Sequence, residues 1–241
     1  MAVDAAILAS LSPDDSPTLR FYGWATPTLS LGYFQRQADR TRHYESQGIE
    51  IVRRATGGGA IVHHHELTYS LTVPKTAIPT TTNPIGQRMG AQRLRAAHGL
   101  YRAIHQCIVA ALAAIGVHAS RCGCSPSLQR DEEPFLCFQR RTEEDLLVSG
   151  YKVLGSAQRH GRSGVLQHGS LLLQSSPFAP QLPGLAELAG STGPLAADIA
   201  SEVAKAMNCT WRVSSMSDEE HRLACEIEQK RFGNPGWLCL S

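Results

Sequence analysis

The segment Arg53-Arg54-Ala55-Thr56-Gly57-Gly58-Gly59-Ala60-Ile61-Val62-His63 places three glycines between an arginine pair and an apolar run ending in histidine. Glycine has no Cβ, so a ligand can lie directly against the backbone there. Arg53 and Arg54 are suited to holding a phosphate or carboxylate beside it. The spacing alone fits a plain tight turn equally well. A second candidate is Lys152, in the run Gly150-Tyr151-Lys152-Val153-Leu154-Gly155-Ser156-Ala157-Gln158. Strict alternation sets Lys152, Leu154, Ser156 and Gln158 on one face and Val153, Gly155 and Ala157 on the other. A lysine in such a strand either snorkels to water or is held in a pocket. A third is Cys137, in Phe135-Leu136-Cys137-Phe138. By composition alone it reads as a buried thiol. Beside an ammonium, its thiolate fraction would rise, and the thiolate is a nucleophile.

Elements must position these groups. The N-terminal stretch reads as the start of an amphipathic helix. Thr18–Trp24 and Thr28–Tyr33 are β-rich runs around Ala25-Thr26-Pro27 and predict a hairpin. Ile49–Arg54, Ala60–His63 and Leu67–Val73 read as strands, and Lys75 to about Arg95 as a long polar loop. Leu100, Ile104, Ile108, Leu112 and Ile115 predict a helix over Gly99–Ile115, closed by Gly116. Arg121–Pro134 is rich in turn formers and charge. Asp145–Val148, Tyr151–Gln158 and Val165–Leu173 read as consecutive strands, with a turn at Ser149-Gly150. Pro194 opens a helix through Leu195, Ile199, Val203 and Met207. Ser217 and Glu220 form a capping box for a helix that ends before Gly233. Mostly antiparallel strands with segregated helices predict one mixed α/β (α+β) domain over residues 1–241.

Composition narrows the function classes. A net charge of +2 is too small for a nucleic-acid binder. No apolar run reaches the roughly 18–20 residues of a membrane span. The N-terminus lacks the basic n-region of a secretory signal. Seven cysteines without framework spacing point to a reducing, cytoplasmic compartment. Cys107, Cys209, Cys225 and Cys239 are expected as small buried groups. No metal is expected. Adjacent strand residues cannot bring His63, His64 and His65 to one ion, and Cys122-Gly123-Cys124 is too closely spaced for a zinc pair.

Three separated stretches resemble the lipoate/octanoate protein ligase and transferase family. They are Arg53-Arg54 with Thr56–Ala60, His63 and Glu66-Leu67-Thr68-Tyr69-Ser70; the lysine strand Gly150–Gln158; and Gln167-His168-Gly169-Ser170. Thr18–Trp24 and Leu29–Gln35 are similar as well. The resemblance implies the biotin/lipoate protein ligase catalytic fold, a mixed, largely antiparallel sheet flanked by helices. It implies catalytic roles for Cys137 and Lys152, because a cysteine at this distance before the lysine strand marks the cysteine-dependent octanoyltransferase branch. It also implies substrate contacts from Arg53, Gly57, Gly58, Gly59, His63, Gly155, Ser156, Ala157, His168 and Gly169. Oxyanion donors are expected from main-chain N–H groups near Ser156-Ala157 and His168-Gly169.

The implied reaction moves an octanoyl group from an acyl carrier protein to a lysine of a lipoyl domain or glycine-cleavage H protein. It would pass through an acyl-Cys137 thioester and require no cofactor. Arg140, Arg141, Arg159 and Arg162 are expected to form a docking face for an acidic carrier. Alternatives are an ATP- and Mg²⁺-dependent lipoate ligase, favoured by glycine at 59, and an amidotransferase acting between proteins. A carrier-binding module without catalysis is the non-enzymatic reading.

Overall fold

A computed structural model describes residues 1–78, 89–123 and 133–239, with the side chains of 89–97 left out of the description. Strand β5 (Glu66–Pro74) shows how the layers are specified. Its odd residues Tyr69, Leu71 and Val73 join the main apolar core. Its even residues Thr68, Ser70 and Thr72 are polar, yet also buried. Both faces are therefore covered, one by an apolar layer and the other by a polar one.

Around β5 runs a six-stranded antiparallel sheet in the order β1 (Thr18–Tyr22), β5, β9 (Gly164–Leu172), β8 (Tyr151–His160), β7 (Leu146–Val148), β6 (Ser120–Arg121). On its apolar face lie α2 (Met89–Ala114) and α4 (Leu195–Met207), which contribute Leu100, Ile104, Ile108, Leu112, Leu195, Ile199 and Val203 to the core. The predicted spacing of both helices is thus the spacing of their buried stripes. On the polar face lies α1 (Ala2–Ser10), whose Asp4 accepts from Ser70 Oγ at 2.7 Å and pairs with Arg20. Helix α5 (Asp218–Ile227) packs on α1 and carries the predicted Ser217/Glu220 capping box, then widens into a π-helical turn over Glu228–Phe232 before Gly233. Short helices α3 (Leu185–Ala189) and α6 (Pro235–Leu238) complete the chain.

A second, three-stranded sheet runs β3 (Glu50–Arg53), β2 (Thr28–Leu31), β4 (Ile61–His63), with β2 and β3 parallel. It has its own apolar cluster, including Leu29, Leu31, Val62 and Leu136. This sheet overturns the hairpin expected between the first two strands. β1 pairs with β5, Thr18 opposite Thr72, whereas β2 pairs with β3 and β4. β-propensity marks a strand but does not choose its partner, and Gly23–Pro27 crosses between sheets instead of folding back.

Helix α2 begins at Met89, ten residues before the expected start and inside the predicted loop, whose first residues, Lys75–Ala77, form a 3₁₀ turn. Of that loop, 79–88 lie outside the described residues, as do 124–132, which include Cys124. Cys107 is buried as expected and Cys209 is half-buried, but Cys225 and Cys239 are exposed. Position on a helix does not make a residue buried: Cys225 lies on the solvent side of an amphipathic turn whose buried member is Ala224. Among the described residues, no helix is long and apolar enough to cross a membrane.

Candidate active site

The two sheets meet at Cys137. Its segment is stitched to the glycine loop, with Ala60 N–H donating to Phe135 O at 2.9 Å and Cys137 N–H to Ala60 O at 2.7 Å. A 3₁₀ turn, Cys137–Gln139, then carries the thiol toward β8. Glycine at 59 is dictated by this contact. A Cβ there would lie 2.8 Å from Cys137 N and 2.9 Å from Phe135 O. Gly58, at φ +94°, adopts the left-handed conformation and brings the loop to the sulfur, since a Cβ on it would sit 3.9 Å from Cys137 Sγ.

Lys152 Nζ lies 3.9 Å from Cys137 Sγ. Its stronger partners are Asp145 Oδ2 at 2.8 Å, Cys137 O at 3.2 Å and Arg140 O at 3.3 Å. Both members of the Lys152–Asp145 pair are buried. The carboxylate is itself held by Thr142 N–H at 2.7 Å. The ammonium expected beside the sulfur is therefore present but not bare. Asp145 fixes its place and offsets part of its field at the thiol.

The strict alternation read for β8 is corrected by a bulge. Leu146 faces Leu154 while Leu147 faces Lys152, so Val153 is an extra residue on β8. Val153 and Leu154 both enter the core, and Lys152 shares a side with Gly155. A Cβ on Gly155 would lie 2.8 Å from Lys152 Cε and 3.6 Å from Asp145 Oδ1, so only glycine leaves room for the pair.

These groups line a cavity of about 440 Å³, within the roughly 300–1,000 Å³ typical of small-ligand pockets. Gly57, Gly58, Gly59, His63, Gly155, Ser156, Ala157, His168 and Gly169 line it together with Cys137 and Lys152. Arg53 does not. Its buried guanidinium donates instead to the main-chain carbonyls of Gly32, Tyr33, Gln35, Trp237 and Leu238, tying α6 to the loop after β2. Arg54 does border the cavity, but donates to Ser30 O, Gly57 O and Gly59 O at 2.6–2.9 Å. Burial lowers its pKa to about 10, still charged at neutral pH. Carbonyls of the folded chain have taken the place of the anion expected for both arginines.

His63 Nδ1–H donates to Glu66 Oε1 at 2.5 Å, and Trp24 stacks on its ring at 4.0 Å. Burial would raise the Glu66 carboxyl, but the His63 charge and hydrogen bonds from His63, Ser170 and Thr68 hold it below its ordinary value. His64 turns to Ser176 Oγ, 3.0 Å away, and His65 stacks on His64. His168 Nε2 meets Thr56 Oγ1 at 3.1 Å. Burial pushes its pKa down to about 4, so it is neutral at pH 7.

The expected oxyanion donors divide. β9 lies between β5 and β8, so the N–H groups of His168 and Gly169 are engaged in ladders and are not free donors. Past Leu154, β8 borders only β9. Tyr101 accepts from the Gln158 main chain on the open side, and Ser156 N–H, two residues back, points the same way. The Ser156 hydroxyl itself is bound to Tyr69 and His105, each at 2.7 Å.

Asp145, and Glu66 as the partner of the expected His63, are the residues that sequence reasoning missed. Counting back from the Ser149-Gly150 turn places Asp145 near Gly155, so that signal existed. The expected arginine face is not a single patch either. Arg140 pairs with Glu133, Arg141 donates to Gly150 O, and Arg159 donates to Ala55 O.

The model of the lipoyl protein ligase A/B catalytic domain matches residues 1–219. Octanoyltransferase LipM of Kyrpidia tusciae is 37% identical over 187 residues, covering 74% of this chain and 63% of that protein. Octanoyltransferase LipM of Symbiobacterium thermophilum is 30% identical over 267 residues, covering 98% and 92%. The chain thus spans under two thirds of the first relative's length. Among solved structures, lipoate-protein ligase A bound with ATP superposes with a TM-score of 0.74 at 19% identity, covering 99% of this chain and 92% of that one. A bi-partite lipoate protein ligase, studied with its E2 lipoyl domain from Thermoplasma acidophilum, gives 0.72 at 18%, covering 100% and 91%. These two likenesses concern the fold.

Proposed function

We propose, for a chain that belongs to the lipoyl protein ligase A/B catalytic domain family, that it transfers an octanoyl group from an acyl carrier protein to a protein lysine through a thioester on Cys137. One observation carries this reading: a half-buried thiol 3.9 Å from a buried ammonium, on the wall of a cavity of about 440 Å³. In the first step the Cys137 thiolate attacks the donor thioester carbonyl and the carrier's thiolate leaves. In the second, the acceptor's neutral ε-amine attacks acyl-Cys137, the Cys137 thiolate leaves, and the amine proton goes to solvent or the released sulfur. The net exchange of a thioester for an amide runs downhill without ATP. Covalent catalysis divides one transfer into two easier steps.

Lys152 steadies the thiolate, and Asp145 positions Lys152. Ser156 N–H is the candidate oxyanion donor. The acceptor, a lipoyl domain or glycine-cleavage H protein, would approach from the open side of β8. Glycine at 59 lets the Cys137 segment lie directly against the glycine loop, which supports the thioester reading.

The test incubates the protein with octanoyl carrier protein and an apo lipoyl domain, with and without ATP, and follows all masses. ATP-independent labelling, a transient octanoyl adduct, and loss of at least about 10³-fold in Cys137→Ser are expected. Full transfer by Cys137→Ser, or labelling only from free acid and ATP, overturns the reading.

A further inference from the structure

A second cavity, of about 340 Å³, opens beside the first and shares Gly57 with it. Its walls include two arginines and no carboxylate. Arg159 Nη1 donates to Ala55 O at 2.9 Å, and the Arg231 guanidinium lies over the Trp237 ring at 5.1 Å. Among the described residues neither arginine has an ion pair, whereas Arg140, on the wall of the first cavity, pairs with Glu133. The remaining surface is aromatic. Tyr33 packs against Trp237 at 5.7 Å and edge-on to Phe34 at 5.0 Å, and Phe34 is 78% exposed at the rim. An aromatic rim left in water beside two unpaired guanidinium groups matches a ligand with one anionic end and an uncharged, partly apolar body.

We propose that this cavity binds the phosphodiester end of the donor's acyl-phosphopantetheine arm, with Arg159 and Arg231 as its anion ligands. The proposal rests on the transferase reading above. The arm has that chemistry: a phosphate, then a chain bearing a gem-dimethyl group, then amides and the thioester. Passing beside Gly57, which has no side chain of its own, it carries the thioester from the arginines toward Cys137. The Phe34 ring, 3.6 Å from where a Gly57 Cβ would lie, flanks the crossing. An aromatic surface with two arginines would also suit a nucleotide, so the test separates the two sources of phosphate.

Wild type is given octanoyl-phosphopantetheine or octanoyl-pantetheine, which differ only in the phosphate, and the octanoyl adduct on Cys137 is timed by intact mass. The phosphorylated donor is expected to react with kcat/KM roughly tenfold higher or more. In the Arg159→Gln/Arg231→Gln variant the ratio should fall to within about twofold of unity. Equal use of both donors by wild type, or an unchanged ratio in the variant, overturns the proposal. So does a loss that falls equally on both donors. Trp237 gives an independent readout in the wild type, needing no variant to fold. Free phosphopantetheine should quench indole fluorescence, pantetheine at the same concentration should not, and a Trp237→Phe protein should lose the response. Quenching by ATP but not by phosphopantetheine would assign the cavity to a nucleotide and overturn the proposal. Failure of every donor to acylate Cys137, with phosphopantetheine quenching intact, would instead overturn the transferase reading and leave the anion site standing.

Discussion

A buried ammonium is costly unless neutralised, and Lys152 is neutralised by Asp145 at 2.8 Å. The pair is therefore one device. Asp145 holds the cation against Cys137 O and Arg140 O, and these contacts fix Nζ beside the sulfur. Asp145→Asn leaves the cation buried without its counter-charge. A stability loss of about 3–5 kcal/mol is expected, measured by urea unfolding. Transfer activity should fall by more than tenfold at temperatures where the variant remains folded. An Asp145→Asn protein as stable and as active as wild type would show that the pair is incidental. Arg53 and Arg54 make the opposite point. Both look like anion ligands in the sequence, yet both serve main-chain carbonyls, because the loop after β2 and the glycine turn bury more acceptors than their own N–H groups can satisfy.

At the scale of elements, two irregularities build the site. The β8 bulge at Val153 moves Lys152 from the core-facing parity onto the cavity side. The glycine turn lets the Cys137 segment approach β4 as a short parallel bridge, Ala60 to Leu136. Gly59→Ala sets a methyl group against the backbone of Cys137 and Phe135, neither of which is a flexible side-chain end. The Cys137 segment must shift. A loss of activity well over tenfold is expected, with a Tm drop of only a few degrees. Acyl-enzyme formation timed by mass, alongside a melting curve, checks both. A Gly59→Ala enzyme with normal acylation would mean the contact is slack.

Taken whole, the molecule is two sheets whose polar faces meet, with titratable groups sealed at the seam. That burial sets its response to acid. The folded-state pKa of His168 is about 4 against an ordinary 6.5. Between those values the unfolded chain takes up the proton and the folded chain does not. Stability is therefore complete above about pH 6.5 and falls as pH drops toward 4. The His168 share amounts to about 2 kcal/mol between pH 7 and 5. His105 and His43 are pushed down by burial as well and act in the same sense. Glu66, held below its ordinary 4.5, adds its loss only at lower pH. His168→Gln should thus lose about 2 kcal/mol less than wild type between pH 7 and 5, read from urea midpoints. Identical pH slopes would contradict this account.

What the sequence determined by itself was local or ordered along the chain. The stripes of α2 and α4, the Ser217/Glu220 cap and the strands at β5, β8 and β9 all follow from periodicity and turn chemistry. Those depend on neighbours within a few residues. The tertiary structure alone decided what faces what: β1 beside β5, Cys137 against Gly58 and Gly59, and a carboxylate on Lys152. Such partners are separated by up to tens of residues and are selected by packing and by the need to pair buried charge and carbonyls. A single inserted residue such as Val153 reverses a strand's parity, and short-range periodicity carries no record of where that happens.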